Sequence, residues 1–147
     1  MDMAQGVSTT LRSQLNVSAF LKRSAEDQAT FLFALRFERG NQTRIVKRFL
    51  LRLTERFDEL EQEPALALLE VLFDCTVLRA RPFIRRMLQS SDPNVRFFAS
   101  DWLRFYGQKR DLALLKPLYD DHRVTWPFGH TVSSRAHVAE LSILGRE

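Results

Sequence analysis

Three histidines, one cysteine and an adjacent pair of aspartates are the residues of this chain whose types could do chemistry. His122, His130 and His137 could hold a metal or move protons. Their spacing gives neither a His pair four apart on one helix nor a Cys–His zinc pattern. Asp120-Asp121 resembles a pair of catalytic carboxylates, but acid–base work needs surroundings that separate their two pKa values. At a helix end the same pair makes a turn. Cys75 closes an apolar row of Ala67, Leu68, Val71 and Leu72, which reads as a small packed hydrophobe rather than a nucleophile. No phosphate-binding glycine loop, dinucleotide motif or nucleophile elbow occurs. The expectation is a chain with no metal, no cofactor and no conventional catalytic centre.

Arginine is the other chemical resource. The net charge is +4, carried by 18 Arg and 4 Lys against 18 acids. Residues 39–56 hold six basic groups and one acid, and residues 79–110 hold eight basic groups and two acids. Arg44, Arg48, Arg52 and Arg56 recur every fourth residue, so they share one helical ridge and repel by a few tenths of a kcal/mol per pair. Acids on a neighbouring helix would offset that repulsion, and so would an anionic ligand. Arg44, Arg48, Arg52, Arg85 and Arg86 are therefore the candidate anion-binding residues. Solvated helix faces are the alternative reading.

These side chains need elements to position them, and the apolar spacing supplies helices. The 147 residues can bury the core of one domain. The composition, 45% apolar and 27% charged, is that of a globular protein. No apolar run is long enough to span a membrane. Met1–Gln14 lacks an apolar leader, and cysteine is rare, so the expected location is the cytoplasm. Residues 1–16 promise at most a short helix around Thr10–Leu15. Ser18 is expected to cap a turn with Phe20 and Leu21. Ser24-Ala25-Glu26-Asp27 resembles a capping box opening a helix with Phe31, Leu32 and Leu35, ended by Gly40. Asn41 or Thr43 would cap a long amphipathic helix whose apolar positions run from Ile45 through Leu53 and Phe57 to Leu60. Pro64 suits the first turn of a helix to Cys75 that is apolar nearly all round. Pro82 opens a short helix, and Asp92-Pro93 opens another that Gly107 closes. Asp111 is expected to cap the next, which Pro117 bends or ends. A loop with Trp126-Pro127-Phe128-Gly129, a contact element or a folded-back plug, leads to a last helix capped by Ser133 or Ser134 and ending at Gly145.

The order of these helices repeats. A shift of 31 places Leu72 on Leu103, Leu68 on Ala99 and Ile84 on Leu115, and a shift of 38 places Leu103 on Leu141 and Gly107 on Gly145. Pro82–Ser91 followed by Asp92-Pro93-Asn94-Val95-Arg96 resembles a HEAT repeat, in which a first helix ending in Asp precedes a second opening with a Pro, Val, Arg pattern. Asp111–Asp121 followed by Ser133–Gly145 resembles a second repeat, interrupted by an insertion at Arg123–Thr131, and residues 43–75 a degenerate earlier one. The resemblance implies an all-α fold, a short right-handed α-solenoid of antiparallel helix pairs with about seven to eight helices. Residues 1–40 would be an N-terminal helical cap, partly flexible at 1–16, forming one domain with the repeats of 41–147.

In such an array the second helices line a concave face where partners sit. On the helix after Asp92, the predicted core face is Val95, Phe98, Ala99, Trp102, Leu103 and Tyr106. Arg96, Phe97, Asp101, Arg104 and Phe105 remain as the candidate partner-binding surface, with the composition of a hot spot. Flanking repeats would instead bury Phe97 and Phe105. The resemblance thus implies a non-enzymatic protein-binding module, an adaptor or a toxin-neutralising immunity protein of bacterial type. Nucleic-acid binding through the arginines is the second reading. A remote likeness to alkylpurine DNA glycosylases, HEAT-like enzymes that use Trp and Asp on a basic concave face, is the third. Trp102, Trp126 and Asp101 supply those residue types, although Trp102 falls on the predicted core face and Asp101 is adjacent to it rather than one turn away. An uncapped end at Gly145 leaves self-association open.

Overall fold

The computed structural model describes residues 15–38, 42–125 and 129–146. Eight α-helices occur among them: α1 (Val17–Leu21), α2 (Ala25–Leu35), α3 (Gln42–Thr54), α4 (Gln62–Asp74), α5 (Arg81–Met87), α6 (Pro93–Tyr106), α7 (Leu112–Leu115) and α8 (Val132–Gly145). Short 3-10 turns stand at Phe57–Glu59, Leu78–Ala80, Lys109–Asp111 and Lys116–Leu118. The fold is all-helical, with one isolated antiparallel bridge between Val124 and Thr131. No helix among the described residues is long and apolar enough to cross a membrane. The chain divides into two compact units, Met1–Val77 and Leu78–Glu147. The predicted boundary at 40/41 falls inside the first. Gly40, Asn41 and Trp126-Pro127-Phe128 lie outside the described residues, as does most of the segment 1–16.

The first unit is organised by aromatic rings. Phe20 lies 5.9 Å from Phe31 and 5.6 Å from Phe49, and the last two are 6.1 Å apart. The edge-on contacts among them suit the ring quadrupoles. Phe20 and Leu32 are fully buried, and Phe49 is nearly so. Asn16, not Ser18, caps α1, its side chain accepting from the Ala19 N–H at 3.0 Å. Ser24 caps α2 as expected, accepting from the Asp27 N–H at 3.2 Å. Buried Gln28 donates to the Phe20 carbonyl at 3.2 Å and so ties α2 to the end of α1. α2 packs chiefly on α4, and Arg36 beside Asp74 at 3.7 Å brings their C-terminal ends together. Two packed helices meet at like ends only when they run in the same general direction.

The amphipathic pattern through Leu60 does not form one helix. Thr54 Oγ1 donates to the Leu51 carbonyl at 2.5 Å, taking the acceptor that the Glu55 N–H would have used. Glu55 N then bonds Arg52 O, and Arg56 N bonds Leu53 O. This tightening ends α3, and Phe57 continues in a 3-10 turn. Thr43 lies inside α3 and does not cap it.

α4 ends in a Schellman-type turn. Val77 N bonds Leu72 O and Thr76 N bonds Phe73 O, each at 3.0 Å, with Val77 buried. Thr76 occupies the left-handed position at φ 53°, which costs a β-branched residue about 1–2 kcal/mol.

In the second unit α6 packs most extensively on α8. Asp92 caps α6, accepting from the Asn94 N–H at 2.8 Å. Gly107 ends α6 by close approach rather than by a left-handed backbone. A Cβ there would lie 2.4 Å from Leu103 O and 2.8 Å from Ile143 Cδ1. Pro117 ends the following helix, so α7 is a single turn continued by a 3-10 turn. Thr131, not Ser133 or Ser134, caps α8, accepting from the Ser134 N–H at 3.0 Å. The Ser133 hydroxyl is instead donated to the Tyr119 carbonyl at 2.5 Å.

Two stability changes are expected in urea titrations. Thr76→Gly should raise stability by about 1 kcal/mol by removing the left-handed penalty. Gly107→Ala should lower it by about 2 kcal/mol or more, because backbone and Ile143 must both yield.

Candidate binding surface

α6 and α8 run parallel. Arg135, in the first turn of α8, pairs with Asp101 at 3.0 Å and lies 4.8 Å from the Phe97 ring centroid. Near its end α8 places Ile143 beside Gly107. Arg146 then donates to the carbonyls of Arg104 at 2.6 Å and Gly107 at 2.8 Å. Higher numbers on one helix meet higher numbers on the other, so both N-termini share one end. A guanidinium on the last carbonyls of a helix satisfies acceptors that have no partner within it. From the other side Arg81 donates Nε and Nη2 to the Tyr106 carbonyl at 3.2 and 3.0 Å.

This seam divides the five candidate residues. Arg96 is buried, 7% exposed, with Nε 2.8 Å from Asp121 Oδ2 and Nη1 2.7 Å from the Ser90 carbonyl. Phe97 is 4% exposed, between His130, stacked at 6.3 Å, and Arg135. The surface position expected for both is corrected: Arg135 and His130 cover Phe97, while Asp121 and Ser90 draw Arg96 inward. Phe98, expected in the core, is half-buried instead. Asp101 is half-buried in its pair with Arg135. Phe105 is 49% exposed, and Arg104 lies 5.0 Å above its ring. The part of the expected surface that faces solvent is therefore Arg104 and Phe105, with the Asp101–Arg135 pair beside them. Val138 was missed. It stands one turn beyond Arg135, as Phe105 stands one turn beyond Asp101, and it too is exposed. The Asp101–Arg135 pair that ties the two helices at this level is not signalled by spacing within either helix.

The anion-binding candidates separate as well. Arg85 donates Nε to Asp111 Oδ1 at 2.6 Å, and Asp111 is fully buried. Asp111 does not cap forward into α7; its Oδ2 reaches back to the Gln108 N–H at 2.7 Å. Arg86 is exposed beside the Phe83 ring. Arg44, Arg48 and Arg52 are exposed and form no ion pair with another described residue. Arg56 pairs with Glu59 of the following turn, not with a neighbouring helix.

The remaining chemical candidates are structural in their contacts. Asp121 accepts from Arg96 and from the Arg123 N–H, so the Asp120-Asp121 pair makes a turn beside an open cleft of about 500 Å³ lined also by Ser91 and Pro117. Trp102 is 1% exposed and offers no ring face to a nucleobase. Cys75 is half-buried at the end of α4, lining a cavity of about 110 Å³ with Leu35, Arg36 and Asp74. Among the described residues no group of three His, Cys, Asp or Glu side chains could hold a metal. Glu70 is held above the usual carboxylate range by burial and by Asp74 one turn away, with Arg36 opposing. Tyr119 is pushed up to about 12 by burial and by its hydrogen bond to Glu140.

Comparison of the chain with protein-family models, curated proteins and solved structures gives no match.

Asp111→Asn should cost about 3 kcal/mol in chemical denaturation, since Arg85 loses its buried counter-charge. Glu70 has the opposite sign. A carboxyl with a raised folded pKa destabilises the fold above that pKa and has no effect once both states are protonated. Glu70→Gln should therefore raise the melting temperature at neutral pH, with the gain vanishing as pH falls below the carboxylate range.

Proposed function

We propose that this chain is a non-enzymatic protein-binding module, an adaptor or toxin-neutralising immunity protein, built as a short HEAT-like α-solenoid. The parallel pairing of α6 with α8 across the intervening α7 carries the architectural part. Alternate helices of a repeat array stack in parallel, and the helices between them form the other layer. The like-end contact of α2 with α4 across α3 follows the same rule in the first unit.

The partner sits on the outer side of the α6–α8 seam. Phe105 supplies an exposed aromatic anchor and Arg104 a guanidinium held over its ring, with exposed Val138 on α8 as a further apolar side chain. An exposed aromatic flanked by arginine is the composition on which binding energy concentrates. The complementary partner surface presents an apolar side chain beside a carboxylate. Arg96, once part of this surface, belongs to the scaffold, so a charge change there tests folding rather than recognition.

Nucleic-acid binding is the second reading, favoured by Arg44, Arg48 and Arg52, which stand in one exposed row on α3 without ion pairs to described residues. The two readings separate in one experiment. The tagged chain is incubated with lysate of its source cells, with and without nuclease, over a salt series. Under the first reading a protein is retained after nuclease, and Phe105→Ala weakens its capture about tenfold or more. Capture that disappears with nuclease, falls steeply with salt and follows Arg48→Glu instead would replace it with the second.

A further inference from the structure

α3 carries charge that works against its own helix. Arg44, Arg48 and Arg52 are exposed, and none pairs with a carboxylate among the described residues. Neighbours in this row stand about 6 Å apart along the axis and repel. Arg44 adds a second cost. It lies in the first turn of α3, where the helix dipole favours an acid, and that turn has none. By contrast, Arg56, Arg85, Arg96 and Arg135 each pair with an acid. A row that is left uncompensated and disfavoured by its own helix calls for an anion supplied from outside the chain.

The rest of α3 restricts what that anion is. Its apolar face, Val46, Phe49, Leu50 and Leu53, is buried within the first unit. A helix that lies in a membrane interface must keep such a face free, so a lipid surface would have only the arginines to hold. One end of the row also carries an aromatic ring. Arg36 and Glu38, the neighbours of Phe37, share a small cavity with Thr43 and Val46 of α3. Phe37 therefore sits beside the Arg44 end. It is 66% exposed, more open than Phe105. Arg36, itself paired with Asp74 at 3.7 Å, lies 4.9 Å from the ring centroid and braces it. Cations in a row that ends at an open aromatic ring are what hold a single strand: the cations track phosphates, and the ring stacks on a base. In a duplex the bases are stacked on one another and offer Phe37 no face. An acidic peptide offers carboxylates but no base.

We propose that α3 binds single-stranded nucleic acid, with Arg44, Arg48 and Arg52 on backbone phosphates and Phe37 stacked on a base at the Arg44 end. The inference rests on the nucleic-acid reading of this row, narrows it to single strands and adds Phe37 as a contact. Phe37 and Phe105 belong to different units, so one chain can hold a strand at α3 and a protein at Phe105.

The full chain is titrated by fluorescence anisotropy, over a salt series, against a labelled strand of about 12 deoxythymidines and against a duplex of the same length. The strand should bind more tightly, with log K falling against log salt at a slope of about −2, as three phosphates require. Arg48→Gln should flatten that slope by about 0.7. Phe37→Ala should weaken the strand about tenfold or more at an unchanged slope, because stacking releases no counterion. Phe105→Ala should leave strand binding as it is. Arg44→Glu should weaken binding yet raise the melting temperature of the free chain, since the dipole and Arg48 both gain an acid. A lower melting temperature would show the row to be structural and overturn the proposal. Preference for the duplex, with Phe37→Ala neutral, would overturn the single-strand inference and leave the nucleic-acid reading standing. Binding of neither at low salt would remove both. Displacement of the strand by polyglutamate or phosphatidylserine vesicles at equal charge would also overturn it, marking a surface for any polyanion.

Discussion

Arginines that reach across to groups some 25 residues later set the geometry of the second unit. Arg81 takes the Tyr106 carbonyl, Arg85 takes Asp111, and Arg96 takes Asp121. Arg135 and Arg146 reach back from α8 to α6. Each fork must find acceptors, because a half-satisfied buried guanidinium is more costly than an apolar side chain in its place. That requirement fixes where α6 ends, where the turn at Asp111 folds and how α8 lies along α6. Arg is suited to the task because its planar donors can serve two acceptors at once. Lysine, with a single ammonium, could not hold the Arg104 and Gly107 carbonyls together in the same way.

The same constraint changes what the basic composition means. Five arginines that would count toward an electrostatic surface are spent inside the unit. The second unit's other five arginines are Arg79, Arg86, Arg104, Arg110 and Arg123, and the first unit keeps the exposed row of Arg44, Arg48 and Arg52 on α3. Exposed apolar side chains remain at Phe105 on α6 and at Val138, Leu141 and Leu144 on α8. Arg96 belongs to the scaffold, while Arg104 stays beside Phe105, so the contact is defined by what the scaffold leaves uncovered.

Signals that act within one turn of chain were legible in the sequence. Ser24, Asp92-Pro93, Gly107 and Pro117 open or close helices where their local chemistry says they should. Signals that depend on a distant partner were not. Thr54 ends α3 because its hydroxyl captures a carbonyl, a choice that apolar spacing overrides on paper. Thr131 caps α8 because Ser133 is claimed by Tyr119, fourteen residues earlier. On the candidate surface the rows of α6 were drawn correctly as rows. Which of them faces α8 was not, since one helix's periodicity holds no information about its neighbour's azimuth. Phe97 and Phe98 exchanged roles for that reason, and Arg96 was inseparable from Arg104 until Asp121 could be placed.

Trp102 is buried in this arrangement with its indole N–H meeting no hydrogen-bond acceptor among the described residues. Its ring lies 4.9 Å from Tyr106 and 6.0 Å from the Arg81 guanidinium that holds the end of α6. An indole so placed is a natural optical gauge. Shielded from water, it emits toward the blue, and its brightness depends on how near that cation stays. With Trp126 replaced, the remaining fluorescence would come from this one ring. It would follow the loosening of the joint between α5 and α6 before the helices themselves were lost.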